Sequence, residues 1–455
     1  MNLNTSLSSL DTWCNKTITN SLLGRLISFI SSLISSCTQN KINSFLSKLL
    51  IFSICILFIS LSLPKFANDR FGIGLIIIFC FFIFLFYVFS NKHLIFTFNT
   101  IDFCILSFLA IAVVSTFSSY FFKESFIGLL KYIVFFLWYF MIKAIILNCS
   151  KKTFLNLWGV LCLCGIITAI IGIYQYIIGV EPLATWEDPS QENLHTRVYS
   201  TLGNPNLLAG YLLLFLPINL ILTFEYKNNF LKLFSLAGAA LILICLILTG
   251  SRGGYIGLIF SFLLSILVLF NYFIFQKNKK STITLSLLAI TALILFLTFM
   301  FPVIGERMLT IFTFREHSSN NYRLNVWIAC LKMLKDNWLF GIGPGNNTFR
   351  LAYGLYMISG FDALAAYNII LETAIETGII GALVFISIFL LAFFKLHYLF
   401  WQKKSFFALA VFISLISILT HGMVDTVFFR PQIFVPFWFL LASLGKIESK
   451  EGTSS

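Results

Sequence analysis

Long, unbroken apolar stretches restrict this chain more than any other feature. They cover residues 49–63, 71–90, 101–118, 125–147, 154–179, 206–224, 233–250, 253–274, 282–302, 366–394, 405–423 and 432–445. A helix crosses about 30 Å of hydrocarbon with about 20 apolar residues. In that medium each peptide group must be bonded within its own helix or within a closed barrel. The stretches are continuous rather than alternating, which excludes a β-barrel. Of 455 residues, 59% are hydrophobic and 11% charged, too much apolar surface for a soluble domain to hide. The expected fold is an all-α polytopic membrane protein with about 12 transmembrane helices.

Charge sets the expected orientation. With the N-terminus inside, Lys48, Lys92, Lys151, Lys152, Lys227, Lys232, Lys395, Lys403, Lys404 and Lys446 all fall on the cytoplasmic side. Short cytoplasmic loops carry an excess of positive charge, so this orientation is the favoured one. It predicts a cytoplasmic N-terminal segment over 1–47 and helices one to nine over 48–302. A large outer loop over 303–365, three more helices over 366–445 and a cytoplasmic tail over 446–455 follow. The expected location is the inner (plasma) membrane. Within 1–47, Leu22, Leu23, Leu26, Ile27, Ile30, Leu33 and Ile34 make one helical stripe. That stripe reads either as a helix lying on the membrane surface or as a disordered tail.

Several classes are excluded. The net charge of +13 is spread over short loops, with no basic block beside exposed aromatics, so nucleic acid is not an expected partner. The ten cysteines have no metal-ligand spacing, and only Cys330 lies in a long outer segment. No disulfide framework, metal or cofactor is expected. The first long apolar run begins near Leu49, with no small-residue cleavage site after it, so no cleavable signal peptide is expected.

The arginines depart from the lysine rule. Of nine, only Arg25 is placed inside; Arg70, Arg197, Arg252, Arg307, Arg315, Arg323, Arg350 and Arg430 are placed outside. A guanidinium presents a planar fork of donors that fits phosphate or carboxylate. An anionic ligand at the outer face explains the bias; ordinary surface charge explains part of it.

Specific stretches sharpen this. In the run from Arg197 to Asn206, Asn204 suits a helix N-cap and Pro205 the first helical position. Arg197 is left over, because a cation near a helix N-terminus is disfavoured unless an anion bridges them. Ser251-Arg252-Gly253-Gly254 makes a tight link between two spans, where Arg252 either binds a ligand or anchors at the interface. In the large loop, Val326, Trp327, Cys330, Leu331 and Leu334 recur at helical spacing with Lys332 and Lys335 turned away. Gly341, Gly343, Pro344 and Gly345 form a turn rather than a phosphate loop, since no Lys-Ser/Thr follows. Glu372 and Glu376 lie one turn apart. The run 366–394 reaches about 43 Å as a helix, so its first turns are expected to project outward and expose both acids. These acids either orient a substrate or neutralise arginines. His421 and Asp425 flank the exit of the eleventh span, with Arg430 nearby, and His421 reads first as structural.

Taken in order, these stretches resemble the O-antigen ligase/polymerase superfamily. The resemblance rests on Arg197 with Gly203-Asn-Pro-Asn206, then Thr249-Gly-Ser-Arg-Gly253, then Trp327 and Leu339-Phe-Gly-Ile-Gly-Pro-Gly345 in a long loop. Tyr367-Asn-x-x-Leu-Glu-x-x-x-Glu-x-Gly-x-x-Gly381 completes it, and the whole covers about residues 150–445. Ala184-Thr-Trp-Glu-Asp188 and the stretch from Arg197 to Tyr211 look closest to a cyanobacterial group named for inorganic-carbon (bicarbonate) transport, type B. The superfamily resemblance implies transfer of a glycan from a polyprenyl-diphosphate carrier to an acceptor at the outer face. It also implies that Arg197, Arg252, Arg323 and Arg315 are the diphosphate-binding candidates, with membrane lipid as surroundings. Tyr367 stands where the ligases carry a histidine base, and an ordinary tyrosine titrates near 10. Tyr367, Glu372 and Glu376 are the candidate catalytic residues, with His317 or the acceptor's own group as further bases. Two other functions stay open: bicarbonate transport or its accessory, and non-catalytic binding of a lipid diphosphate.

Overall fold

The computed structural model describes residues 3–19, 40–63, 72–90, 96–180, 197–275 and 319–451. These residues form fourteen α-helices and no strand. In chain order they are α1 (Leu3–Thr19), α2 (Asn40–Ser60), α3 (Gly72–Ser90), α4 (Thr100–Ser118), α5 (Phe122–Asn148), α6 (Lys151–Ile178) and α7 (Pro205–Glu225). After them come α8 (Asn229–Leu248), α9 (Arg252–Phe275), α10 (Ser319–Asp336), α11 (Asn346–Tyr353), α12 (Ile369–Trp401), α13 (Phe406–Gly422) and α14 (Pro431–Glu451). Eight of the described helices are long and apolar enough to cross a membrane, and α2 and α13 contribute shorter apolar segments. The protein is thus an all-α polytopic membrane protein. The expected ninth span, 282–302, and the stripe over 22–34 lie outside the described residues.

Helices α5 and α7 are central, with 67% of their apolar windows buried, whereas α9 is peripheral at 33%. The α5–α14 seam is aromatic: Trp438 meets Phe136 and Tyr139 edge-on, and the Trp138 indole donates to the Val435 carbonyl at 3.1 Å. Ring pairs of this geometry add roughly 0.5–1.5 kcal/mol each beyond their burial.

Consecutive helices alternate in direction, so one end of the bundle gathers the start of α7, α9 and α12 with the end of α8 and α13. Backbone and side-chain bonds tie them there: Val198 N–H to the Leu248 carbonyl, and the Asn368 amide to the Met423 carbonyl at 3.0 Å. The opposite end is the lysine end. Lys446 donates there to the carbonyls of Leu147 and Cys149, and Lys151 pairs with Glu225 at 3.4 Å.

Helix α12 runs to Trp401, beyond the apolar run that ends at 394, and takes Lys395 into the interior. Asp11 of α1 makes this possible. Its carboxylate lies 2.6 Å from the Lys395 ammonium and also accepts from the Thr100 amide and hydroxyl at the start of α4. The polar N-terminal segment therefore includes a helix docked on the bundle. A second buried pair lies close by. Asp102, in the first turn of α4, holds Lys143 and the Tyr139 hydroxyl, and completes a capping box with Asn99.

Candidate functional site at the arginine-bearing end

The segment before α7 is positioned from two sides. At the end of α6, the Gln175 side-chain oxygen accepts from the amides of Tyr199 and Ser200, and its NH2 donates back to the Ser200 carbonyl. Asn204 caps α7, accepting from the amides of Asn206 at 2.8 Å and Leu207 at 3.2 Å, with Pro205 at the first position. This spaces Arg197 over the helix start. Its Nε donates to the Thr249 carbonyl at 2.9 Å, and a terminal nitrogen donates to Asn206 Oδ1 at 2.6 Å.

Asn206 then passes the connection on. Its Nδ2 donates to Asp425 Oδ2 at 2.7 Å, and the same oxygen lies 3.8 Å from the Arg323 guanidinium. Asp425 Oδ1 accepts the Thr426 amide at 2.7 Å. Arg197 from the α6–α7 link, Arg323 from α10 and Asp425 from the α13–α14 link therefore form one polar network. Among the described residues, Asp425 is the only carboxylate within ion-pair distance of an arginine. Arg252 is half-buried at the start of α9, on the turn that follows Thr249. Its neighbour Gly253 packs on His421, and a Cβ there would come within 2.9 Å of the imidazole. Arg350 and Arg430 are exposed, and Arg315 and His317 lie outside the described residues.

Tyr367 precedes α12 with φ +52°, a left-handed conformation that costs a bulky residue of order 1–3 kcal/mol. Both flanks hold it there. The Trp327 indole donates to the Ala366 carbonyl at 2.9 Å, and Asn368 caps α12 by accepting from Ile370 and Leu371 at 3.0 Å. The ring meets Tyr322 edge-on at 5.7 Å. Burial and the neighbouring Tyr322 push its hydroxyl well above the ordinary tyrosine value, and Arg323 pulls back only weakly. Tyr367 is therefore protonated at neutral pH and acts as a hydrogen-bond donor or acceptor.

The acids of α12 differ from expectation: Glu372 is 3% exposed and Glu376 4%. The loop after α10 folds over the helix rather than leaving it projecting. The break at Gly378, with φ +73°, frees the carbonyls of Ile375 and Glu376. The amides of Ile342 and Gly343 fill them, and the Ile379 amide donates to the Trp338 carbonyl. Such irregular backbone is tolerated at membrane depth when protein covers it. Glu376 completes the seam, accepting from the Tyr132 hydroxyl at 2.7 Å and the Gly345 amide at 2.9 Å. Glu372 has one oxygen without a partner. Neither acid forms an ion pair with an arginine among the described residues. Removing Glu376 by Glu376→Ala orphans two buried donors and is expected to cost about 2–4 kcal/mol, while Glu376→Gln keeps most of that. Thermal unfolding of the two variants, with protease sensitivity around residues 338–345, checks this.

Helix α10 buries Val326, Ala329, Cys330 and Met333. Leu331, expected on that face, is 57% exposed and lies beside Lys332 and Lys335. Val326, Ala329, Cys330 and Met333 recur at helical spacing on one face and leave Leu331 to its side. Two cavities lie elsewhere. One of about 180 Å³ is apolar, between α4, Leu339, Phe340 and Ile380; one of about 210 Å³ lies at the lysine end beside Lys151 and Glu225.

Sequence reading passed over Asn206 and Tyr132 as site residues, and it took Asp425 only as a neighbour of His421. Asn206 was hidden by an adequate helix-start explanation, and Tyr132 by its place in an apolar run.

Residues 237–386 match the family model described as O-antigen ligase. A search of curated proteins finds no match. The matched segment carries Arg252, Arg323, Tyr367, Glu372 and Glu376, while Arg197, Asn206, His421 and Asp425 lie outside it. The match spans 150 of the 455 residues and makes that segment similar to O-antigen ligases, within an all-α polytopic membrane protein.

Proposed function

We propose that this protein transfers a glycan from a polyprenyl-diphosphate carrier to an acceptor, at the outer face of the inner membrane. Arg197, Arg252 and Arg323, with Arg315, hold the diphosphate and take up the charge that grows on it as the sugar leaves. Both termini are cytoplasmic in this reading. The observation that carries it is the network from Arg197 through Asn206 and Asp425 to Arg323, beside Arg252. Cations from the α6–α7 link, the start of α9 and helix α10 suit a ligand with an anionic head and an apolar tail.

The expected result of Arg252→Lys is a fall of roughly tenfold to a hundredfold in glycan transfer, because lysine keeps the charge and loses the two-pronged geometry. Cell-surface glycan length and the level of lipid-linked precursor are the readouts. Precursor accumulates and surface glycan shortens if the reading holds. Unchanged glycans in this variant and in a deletion strain remove it.

A second reading, bicarbonate transport, is favoured by one feature. Helix α12 is interrupted at Gly378 beside the buried Glu376, and interrupted helices line ion and substrate paths in transporters. The loop 338–345 fills that break with its own amides, which favours a structural role. Labelled bicarbonate uptake into proteoliposomes, against empty liposomes, separates the two readings. Diphosphate binding with no turnover for any acceptor marks a binder without catalysis.

A further inference from the structure

Helix α1 presents three different faces. Asp11, Cys14 and Asn15 face the bundle. The Asp11 carboxylate takes the Lys395 ammonium at 2.6 Å and the Thr100 amide at 2.7 Å. Cys14 is buried, and Asn15 Oδ1 accepts the Phe98 amide at 3.2 Å. Leu10 and Trp13, both large and apolar, are 47% and 58% exposed. Ser9, Thr12 and Lys16 are exposed as well and form a polar stripe.

At 3.6 residues per turn, these three stripes stand roughly 100–140° apart around the axis. The polar stripe lies nearly opposite the seam between the bundle-facing and apolar stripes. Such a helix fits a corner, with protein on one side, an apolar surface on the second and water on the third. Its level is fixed by its partners. Thr100 is the first residue of α4, and Lys395 lies in the last two turns of α12, just past the apolar run that ends at 394. Residues 11–15 therefore lie where the spans leave the hydrocarbon. Phe103 and Leu106, exposed on the first two turns of α4, turn apolar side chains to lipid close to that level. Tryptophan collects there because its ring is apolar and its N–H can stay wet. The charge also suits a lipid surface. The one acid of α1 is held by Lys395, so its exposed faces carry no negative group to repel phosphate.

We propose that α1 is a membrane-surface helix, with the Leu10–Trp13 stripe seated in the lipid leaflet at the lysine end and Asp11 pinning the helix to the bundle. Interfacial helices generally hold by a long apolar face. Here the bundle supplies a second hold, so a short stripe is enough. The proposal stands apart from the glycan-transfer reading and does not depend on it.

The test uses the full chain in nanodiscs, with phosphatidylcholine brominated on its acyl chains as the lipid-side quencher and iodide as the water-side one. Subtracting the emission of Trp13→Phe from that of the parent isolates Trp13 among the chain's 8 tryptophans. Its signal is expected to be blue-shifted, reduced about twofold or more by the brominated lipid and little changed by iodide. Thr12→Trp on the Trp13→Phe background moves the reporter to the polar stripe, where the pattern reverses. Both positions are exposed, so neither substitution disturbs packing.

A Trp13 signal quenched by iodide and untouched by brominated lipid overturns the proposal. A signal shielded from both quenchers overturns it too and assigns the stripe to another protein surface; that surface is a second copy of this chain if shielding disappears at one chain per nanodisc. Equal quenching at positions 12 and 13 shows that α1 does not keep the orientation set by Asp11, and this also overturns it.

Discussion

Asp102→Ala destabilises the protein by about 3–5 kcal/mol, the cost of leaving a buried charge without its partner. Asp102 is 0% exposed and Lys143 4%, so the ammonium has no route to water once the carboxylate is gone. Two other bonds are lost with it: the one from the Tyr139 hydroxyl and the one from the Asn99 amide, which is the side-chain half of the capping box at the start of α4. The paired change Asp102→Asn with Lys143→Met recovers most of the loss. Asparagine's oxygen can still accept from the Asn99 amide while its NH2 donates to the Tyr139 hydroxyl, and methionine fills the lysine stem's space without charge. Thermal unfolding in detergent measures both. If the single variant melts with the parent, the pair is not the buried element described above.

Gly378→Ala is the second large effect. The residue has φ +73°, and a Cβ there would lie 2.0 Å from the Leu339 carbonyl oxygen and 2.4 Å from its carbon. Both contacts are backbone and cannot swing aside. Strain of about 1–3 kcal/mol and overpacking of about 1–3 kcal/mol act together, so the loop over 338–345 leaves the helix. Glu376 then loses the Gly345 amide, and Tyr367 loses the support of the packed α10 layer. The expected outcome is a lower melting temperature, easy proteolysis in the loop and loss of diphosphate binding. Gly74→Ala in α3 is the control. Nothing lies within 4 Å of its Cβ position, so it is expected to be neutral or slightly stabilising. Equal melting of the two variants contradicts the close approach at Gly378.

Some local structure was legible residue by residue. Asn204 stands one residue before a helix and caps it, because a short side-chain oxygen at that point reaches two amides that have no helical partner. Eight of the expected spans coincide with described helices long and apolar enough to cross a membrane, and the ninth lies outside the described residues; hydrocarbon forces each peptide to bond within its own segment. Lys395 and α1 were harder to read. A lysine ends an apolar run, and only the position of Asp11, 384 residues earlier, carries the helix through it.

The candidate site divides in the same way. Arg197, Arg252 and Arg323 were visible as arginines in segments that most lysines avoid, since charge bias is a property of each short link. Their meeting through Asn206 and Asp425 was not, because that depends on where α7, α10 and α13 end in space. Burial of Glu372 and Glu376 likewise depends on a loop that closes over a break in α12.

From residue order alone come the membrane, the helices and the side on which guanidinium groups collect. These follow from local hydrogen bonding and from transfer of each segment out of water. Which carboxylate links Arg197, through Asn206, to Arg323 and which acids are shut away from water were settled only by tertiary packing. Contacts between residues hundreds of positions apart are fixed by how whole helices fit together, and no short stretch of sequence records that fit.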